Sequence, residues 1–314
     1  MALSKNPNRT KSIEKAWLRE IKRKFKQLNS YMLSLPLESE VKVSNNKIFR
    51  AIKTFIVNVK SIITGNPDRE IFTNVTAAQQ AQIDIFMTGM REEAIGILLS
   101  TPWQNKYQTE AYKRGIDRAD SELKAVLSAQ EAAKVGTLDA GATALVHTAI
   151  HTAELDFLHE RANVKLSKWV DDLLFDTRSI LHEQLGIVSV DDIHAAITDR
   201  INVTTRRATT IEVTEIAQAS QRSVIKEVEQ VNSQSDELVE VRWITVDDKF
   251  VRHLHANWHG EVMSNEQASR NITISPFNCR CAVKAVVKNR TPARVDAKFK
   301  AERKLLLAKE KAAK

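Results

Sequence analysis

The stretch Trp243–Cys281, WITVDDKFVRHLHANWHGEVMSNEQASRNITISPFNCRC, concentrates reactive residue types that are sparse elsewhere in the chain. It holds three of the eight histidines, both cysteines and two of the five tryptophans. The apolar–polar alternation of Leu238–Val246 predicts a strand at its start, and Asn271–Ser275 and Arg280–Val287 are predicted as two more short strands. The histidines fall in a predicted loop between them. The stretch therefore predicts a small module with a few short strands.

The cysteines and histidines of this stretch suit a metal site. Imidazole nitrogen and thiolate sulfur are the ligands that zinc prefers, and four of them make a tetrahedral site. We predict a structural zinc held by His253, His255, Cys279 and Cys281, with His259 as a further available imidazole. A metal would help to stabilise short strands that bury little surface. A Cys-x-Cys pair is, however, a poorer chelate than Cys-x-x-Cys.

Two other interpretations of the same residues remain open. In the first, Asp247, Asp248, His255, Asn257 and His259 are the ingredients of a metal-dependent nuclease, which needs a positioned metal and an activated water. In the second, the module is structural: its tryptophans fill a small core and its polar side chains satisfy loop backbone. Because the nuclease ingredients are loosely spaced, we predict no catalytic residues and no enzymatic activity.

The rest of the chain is predicted to be helical. It has 8 glycines and 6 prolines among 314 residues, and 27% of its residues are charged, which favours long helices over a loop-rich β fold. Apolar residues recur at helical spacing over residues 13–28, 45–63, 76–100, 102–135, 139–163, 166–185, 189–202 and 204–231. Thr101 and Pro102 suit the N-cap and first position of the fourth helix. The predicted fold class is mainly α: a multi-helix N-terminal body followed by a small α+β C-terminal module.

Four regions are expected along the chain. Residues 1–64 form a basic N-terminal helical arm, 65–203 an α-helical body, 204–290 the module of one helix and short strands, and 291–314 a basic C-terminal tail that is a helix or disordered. The polar run Asn232–Glu237 is the best linker candidate.

The charge is distributed unevenly. The net charge is +8, yet residues 1–60 carry 14 basic and 4 acidic residues and residues 284–314 carry 11 and 3, so the part between them is acidic. Such basic ends suit nucleic acid, an acidic protein surface or anionic lipid, and solvated tails would look the same. The predicted nucleic-acid-binding residues are Lys15, Arg19, Lys22, Arg23, Lys26, Lys298, Lys300, Arg303 and Lys304.

We expect a soluble protein in a reducing compartment. The first residues lack the apolar core of a secretory signal, and the most apolar run, Ile48–Ile63, is shorter than the roughly 20 residues that span a bilayer. Two cysteines one residue apart do not form a disulfide framework. His147 and His151 lie four residues apart, but without an intervening glutamate they are better read as surface or core histidines than as a metal site.

The order of residues in the stretch resembles a known signature. Trp243-x-Thr245, Asp248, Val251-Arg252, His255, Gly260, Pro276 and Cys279-Arg280-Cys281 resemble the C-terminal signature of the phage head-morphogenesis family, the minor head proteins similar to the F protein of phage Mu. Upstream, Arg207-Ala208, Ile211, Thr214-Glu215 and Ala217 resemble the helix that precedes this signature. The resemblance spans about residues 206–287. Some members carry a Cys-x-x-Cys where this chain has Val251–Leu254, so a metal would here need His255, or His253 and His255, instead.

The resemblance implies a bacteriophage minor head protein that acts in head assembly. Such a protein lies in the capsid interior near the portal, has portal or major capsid protein as partners, and is in the host cytoplasm during assembly. A role in DNA packaging or ejection, with packaged double-stranded DNA bound by the basic arms, fits the charge distribution. The alternatives are a nuclease or toxin-like enzyme domain on the same module, and a membrane-active ejection protein that uses the amphipathic helices at residues 13–28 and 48–63.

Overall fold

The fold is taken from a computed structural model, which describes residues 9–37, 75–127, 141–234, 238–246, 252–275, 279–288, 290 and 292–312. The predicted helix at residues 45–63 lies outside these residues. Helices dominate, and a small three-stranded sheet follows near the C-terminus, which confirms the predicted fold class. The helices are α1 (Lys11–Ser34), α2 (Ala77–Ala94, continued by a π-helical turn, Ile95–Leu99), α3 (Asn105–Lys124), α4 (Ala142–Leu145), α5 (Ala149–Gln184), α6 (Val190–Gln234), α7 (His253–Trp258), α8 (Asn265–Ile274) and α9 (Ala293–Ala312).

The chain divides into two compact units. The first unit comprises Met1–Ile21, Pro102–Lys165 and Ala208–Lys314, and the second comprises Lys22–Thr101 and Leu166–Arg207. Both units are therefore built from discontinuous stretches of sequence. The four regions expected from the sequence remain predictions.

The longest helices are longer than predicted. The predicted helices at 139–163 and 166–185 are largely one helix, α5, and those at 189–202 and 204–231 are one helix, α6. Asn163 and Asn202 do not end these helices. Asparagine lowers helix stability only modestly, no proline or glycine stands beside either residue, and packing of the turns on both sides holds the helix together. The chain does break at residues 146–148, between α4 and α5.

The start of α3 also differs from the prediction. The helix begins at Asn105, after Gln104, and the amide of Asn105 donates to the carbonyl oxygen of Pro102 over 3.0 Å in a preceding turn. Thr101 and Pro102 therefore lie before the helix and do not cap it. Helix α3 ends at Lys124, with Ala125 as its C-cap, so it is shorter than the predicted helix to residue 135; residues 128–135 lie outside the described residues.

Three antiparallel strands, β1 (Val239–Ile244), β2 (Val262–Met263) and β3 (Ala282–Val287), form a sheet in the order β2-β1-β3. Strands were correctly predicted at 238–246 and 280–287. The prediction of a strand at Asn271–Ser275 was wrong, because these residues end α8. The Ser264 hydroxyl accepts the amide of Gln267 and caps that helix, and Ala268 and Ile272, four residues apart, are buried on one side.

The sheet shares a core with the long helices of the first unit. Trp243 of β1 is fully buried and belongs to one apolar cluster with Val224 and Val228 of α6 and Ile272 of α8. The cluster explains why the strand residues on this side of β1 are apolar. It also fixes the sheet against α6, the helix that precedes it in the chain.

Side chains of α3 cover the edge strand β3. Arg118 Nη2 donates to the carbonyl oxygen of Val283 over 3.0 Å, and the amide of Ala285 donates to Glu122 Oε2 over 3.0 Å. An arginine and a glutamate one helical turn apart thus bond backbone groups that a fourth strand would otherwise pair. Covering the edge in this way opposes pairing with another chain.

Candidate metal centre

Two short segments carry the candidate ligands. His255 lies in α7, and Cys279 and Cys281 directly precede β3. Successive residues of extended chain point to opposite sides, so two cysteines separated by one residue face the same way. Gln221 of α6 donates a hydrogen bond to the carbonyl oxygen of Cys281, which holds this segment against the long helix.

The three side chains converge on one point. His255 Nδ1 lies 3.5 Å from Cys279 Sγ and 3.4 Å from Cys281 Sγ, and the three candidate ligand atoms all lie within 4.8 Å of one another. A tetrahedral zinc ion at its usual bond lengths separates sulfur and nitrogen ligands by about 3.5 Å. The same separation also suits a hydrogen bond between imidazole and sulfur, so the geometry fits a metal without requiring one.

The group is closed to solvent. His255, Cys279 and Cys281 are 3%, 4% and 2% exposed. The imidazole of His255 stacks on Trp258, with ring centroids 5.2 Å apart, and meets the edge of Trp243 at 5.8 Å. Structural zinc sites are closed in this way, whereas catalytic ones keep an open position for water or substrate.

The two thiols differ in acidity. The pKa of Cys279 is lowered, mainly because the Cys281 side chain hydrogen-bonds to it and further because His255 does, although burial opposes the change. The pKa of Cys281 is raised by the same bond and by burial. The pair therefore favours a thiolate on Cys279 beside a thiol on Cys281. The thiolate is the metal-binding form of cysteine.

The other two histidines lie elsewhere. His253 is exposed at the start of α7 and is not part of the converging group. His259 is fully buried, and its Nδ1 accepts the backbone amide of Thr245 at 3.0 Å, which leaves Nε2 to donate to Glu302 Oε2 at 3.2 Å. Burial lowers the pKa of His259, while Glu302 acts in the opposite direction. Both of its ring nitrogens are thus engaged in protein contacts.

The signature residues build the frame of the site. Thr245 donates its hydroxyl to the carbonyl oxygen of His255 over 2.6 Å, and Trp243 packs edge-on against Trp258 at 5.1 Å. Gly260 has a φ of 78°, and a Cβ there would lie 2.4 Å from Cβ of Phe299. Arg252 is exposed and Arg280 is half-buried, whereas Asp248 and Pro276 lie outside the described residues.

The C-terminal helix α9 docks onto this frame. Arg242 of β1, only 2% exposed at its side chain, pairs with Asp296 at 2.8 Å, and its guanidinium lies 4.7 Å from the ring centre of Phe299. Arg303 donates its Nε–H to the carbonyl oxygen of His259 over 2.8 Å and pairs with Glu261. The predicted basic tail is therefore a helix with its own contacts to the module.

The predicted nucleic-acid-binding residues fall into two groups. On α1, the five predicted residues are all exposed, while the apolar stripe of that helix is buried. On α9, Lys298, Lys300 and Lys304 are exposed, but Arg303 is half-buried and engaged as described. The exposed residues of α1 are Lys15, Arg19, Lys22, Arg23 and Lys26. We call these five the α1 basic face.

Within α6, the acidic residue of the upstream signature has partners that the sequence did not indicate. Glu215 is 2% exposed and accepts from Arg161 Nη2 at 2.6 Å and from Lys165 Nζ at 2.5 Å. A buried carboxylate needs such partners because desolvation disfavours its charge. In the sequence, Glu215 stands between apolar residues of α6 such as Val213 and Ile216, but this pattern did not show which basic residues pair with it.

This arrangement can be compared with known proteins. The model of the family described as Phage Mu protein F like protein matches residues 188–284 of the chain. Residues 188–284 are therefore similar to the family of the phage Mu F protein, and we call them the F-like region. The match confirms the resemblance to the phage head-morphogenesis family, and the F-like region contains α6, the sheet up to Lys284 and all three converging side chains. No curated protein and no solved structure matches the chain significantly.

Proposed function

We propose that the protein is a bacteriophage minor head protein that lies in the capsid interior, associates with the portal or the major capsid protein and acts in head assembly. The observation that carries the proposal is the F-like match at residues 188–284, which covers the buried frame around Trp243 and His255. We further propose a low copy number in the virion and a host-cytoplasmic stage during assembly. None of the described helices is long and apolar enough to cross a membrane.

The partner part of the proposal is tested by co-expression with the portal and major capsid proteins of the same phage. The expected result is that the chain co-purifies with one of them through size-exclusion chromatography. The variant Glu215→Ala leaves Arg161 and Lys165 without their carboxylate partner. Its helix content is measured first, so that a loss of folding is distinguished from a loss of binding. A folded wild-type chain that binds neither head protein would contradict the proposal.

The α1 basic face is our candidate for contact with packaged DNA. Its five positive residues project from a helix whose opposite side is buried, so the charges are held on one surface. A protein that neutralises phosphates releases bound counterions, and its affinity therefore falls steeply with salt. The apolar stripe of α1 is buried, so the side of this helix that faces solvent is its basic side.

A salt titration of binding to short double-stranded DNA tests this contact. Replacing the five residues of the α1 basic face by glutamine should reduce the slope of log affinity against log salt by about four to five. Lys168→Gln, an exposed lysine on α5, is the matched single-charge control and should change the slope by no more than about one. An unchanged slope in the five-residue variant would remove DNA contact by α1 from the proposal. The equivalent variant at Lys298, Lys300 and Lys304 tests the C-terminal arm.

We also propose a structural zinc ion held by His255 Nδ1 and the sulfurs of Cys279 and Cys281. The metal would supply a cross-link between α7 and the segment that leads into β3. The converging atoms, their closed surroundings and the preferred thiolate on Cys279 support this assignment. The burial of all three side chains favours a structural site over a catalytic one, which keeps a solvent-accessible position, although a structural zinc ion usually has a fourth protein ligand and the converging group supplies three.

We propose a role without enzymatic activity. A plasmid incubated with the purified chain and a divalent metal should remain intact. Metal-dependent cleavage that is lost in His255→Ala but kept in His253→Ala would instead establish the nuclease alternative.

A further inference from the structure

A buried row of four polar side chains crosses the first unit, away from the candidate metal centre. Tyr112 and Asp120 lie on α3, His151 on α5 and Glu227 on α6. Tyr112, His151 and Glu227 are fully buried, and Asp120 is 6% exposed. The F-like signature around Trp243 does not include this row, and three helices meet in it.

Two contacts at hydrogen-bond distance link Tyr112, His151 and Glu227 at one end of the row. Tyr112 Oη lies 3.0 Å from His151 Nδ1, and His151 Nε2 lies 3.0 Å from Glu227 Oε2. Burial raises the pKa of Tyr112, so its hydroxyl keeps its proton, and because the Glu227 carboxylate accepts from Nε2 of His151, Nδ1 is left to accept the O–H of Tyr112. The remaining ring nitrogen, Nε2, then carries the proton that is donated to the Glu227 carboxylate.

The other end of the row contains two carboxyl groups. Among the described residues, Asp120 Oδ1 and Glu227 Oε1 are buried oxygens without an ordinary hydrogen-bond donor. The Asp120 and Glu227 side chains nevertheless lie within hydrogen-bonding reach of each other. Two ionised carboxylates cannot donate to each other, and buried like charges repel strongly. A single proton between them satisfies both groups.

We propose that Asp120 and Glu227 share one proton, which makes the row Tyr112–His151–Glu227–Asp120 a buried latch that ties α3 and α5 to α6 and opens when that proton is lost. The proton lies mainly on Asp120, because Glu227 already accepts from His151 and is the better acceptor. Loss of the proton places a second negative charge in the buried row, where like charges repel, and so weakens the packing of α3 against α6.

The charged groups around the latch determine the pH range over which Asp120 loses its proton. Glu227 of α6 faces Asp120 directly, and Asp117 of α3 adds further negative charge, whereas Lys124 of α3 opposes both. On α5, Glu154 faces Tyr112 at the far end of the row. Burial first, and Glu227 second, raise the pKa of Asp120 to about 8. A raised pKa in the folded state means that stability from this proton is complete in acid and is lost as pH rises toward about 8.

Asp120→Asn tests the latch because an asparagine amide donates to Glu227 and cannot titrate. We expect the urea midpoint of the wild type to fall relative to that of Asp120→Asn as pH rises from about 5 to about 8, and the difference to level off above that range. Glu110→Gln, an exposed position on the same helix, is the control and should follow the wild type. Parallel midpoints of wild type and Asp120→Asn at all pH values would overturn the proposal.

Glu227→Gln tests the order of protons and stands independently if Asp120→Asn fails to fold. Its amide oxygen can still accept from His151 and its amide nitrogen can donate to Asp120, so we expect its urea midpoint, like that of Asp120→Asn, to fall less than that of the wild type between pH about 5 and about 8. Nitrogen-15 spectra of the wild type should show His151 as the Nε2–H tautomer. A midpoint of Glu227→Gln that falls with pH as much as that of the wild type, or the Nδ1–H tautomer, would contradict the latch. The infrared carbonyl band of neutral carboxyl groups should lose intensity in Asp120→Asn near neutral pH.

Discussion

His259 donates its Nε2–H to Glu302 over 3.2 Å, and this contact joins the sheet module to the C-terminal helix. The direction of the bond is fixed because Nδ1 of the same ring accepts the amide of Thr245. A histidine that the sequence offered as a metal ligand or a catalytic base thus has a docking role. Its neighbours Arg242 and Arg303 reinforce the same attachment.

Removing the carboxylate should therefore loosen α9. We expect Glu302→Ala to lower the free energy of unfolding by about 1–3 kcal/mol, because a buried donor on His259 loses its charged acceptor. Glu302→Gln keeps a neutral acceptor and should lie between the wild type and alanine. Amide hydrogen exchange along residues 293–312 measures the effect. Glu266→Ala on α8, an exposed position, is the control, and equal protection in both alanine variants would contradict the docking role.

The proposed zinc site includes His255 but not its neighbour His253. One zinc per chain should be found by elemental analysis of the purified protein, and His255→Ala, Cys279→Ser and Cys281→Ser should each lose it. His253→Ala should keep it, because His253 is exposed and outside the converging group. Chelation of the metal should lower the thermal midpoint of the wild type. Loss of zinc in His253→Ala would restore the four-ligand set predicted from sequence, and no zinc in the wild type would refute the site.

Glycine at position 260 should be hard to replace. Its φ of 78° disfavours a side chain, and a Cβ would meet Phe299 at 2.4 Å. We expect Gly260→Ala to destabilise the protein by about 1–3 kcal/mol, measured by urea unfolding. Phe299→Gly, which also removes the contacting Cβ, should relieve the steric part of that cost but not the backbone part, so the double variant should lose less than the sum of the single variants. Strict additivity would show that the close approach to Phe299 is not the cause.

Glu212 of α6 should make the protein less stable in alkali. It is 1% exposed, and neither carboxylate oxygen has a hydrogen-bond partner among the described residues. Burial, with a smaller contribution from Glu14, raises its pKa to about 9. Stability from its protonated form is therefore complete in acid and is lost as pH rises toward about 9. The apolar variant Glu212→Met should gain stability over the wild type across this range, by an amount on the order of 3 kcal/mol.

The comparison is made by urea unfolding at several pH values between 5 and about 9.5. Glu160→Met on α5, which is exposed, provides the control and should show no such gain. A constant difference between Glu212→Met and the wild type at every pH would mean that Glu212 is not the titrating group.

The sequence predicted the mainly α fold and two of the three strands, because hydrophobic periodicity is a local signal. It also brought Cys279, Cys281 and His255 together as candidate ligands. It placed His253 beside them by assuming a loop, whereas residues two apart on helix α7 point in very different directions. The continuity of α5 and α6 was missed because packing overrides weak local breaks.

Contacts distant in sequence were beyond prediction from periodicity. Nothing in the spacing indicated that Glu227 would meet Asp120 and His151, or that Arg242 would pair with Asp296. Such pairs form where separate helices cross, and their positions follow from the assembled core. A buried charge among apolar residues signals that a partner exists, but the fold decides which residue provides it.

We propose that the protein is a component of the phage head, and mass spectrometry of purified heads tests this proposal most directly. Heads from the phage that encodes the chain should contain it at a low copy number relative to the major capsid protein, in particles isolated before and after DNA packaging. It should resist protease in intact heads and be digested once they are opened, as an interior protein would be. Heads that form normally and contain none of the protein would contradict the account.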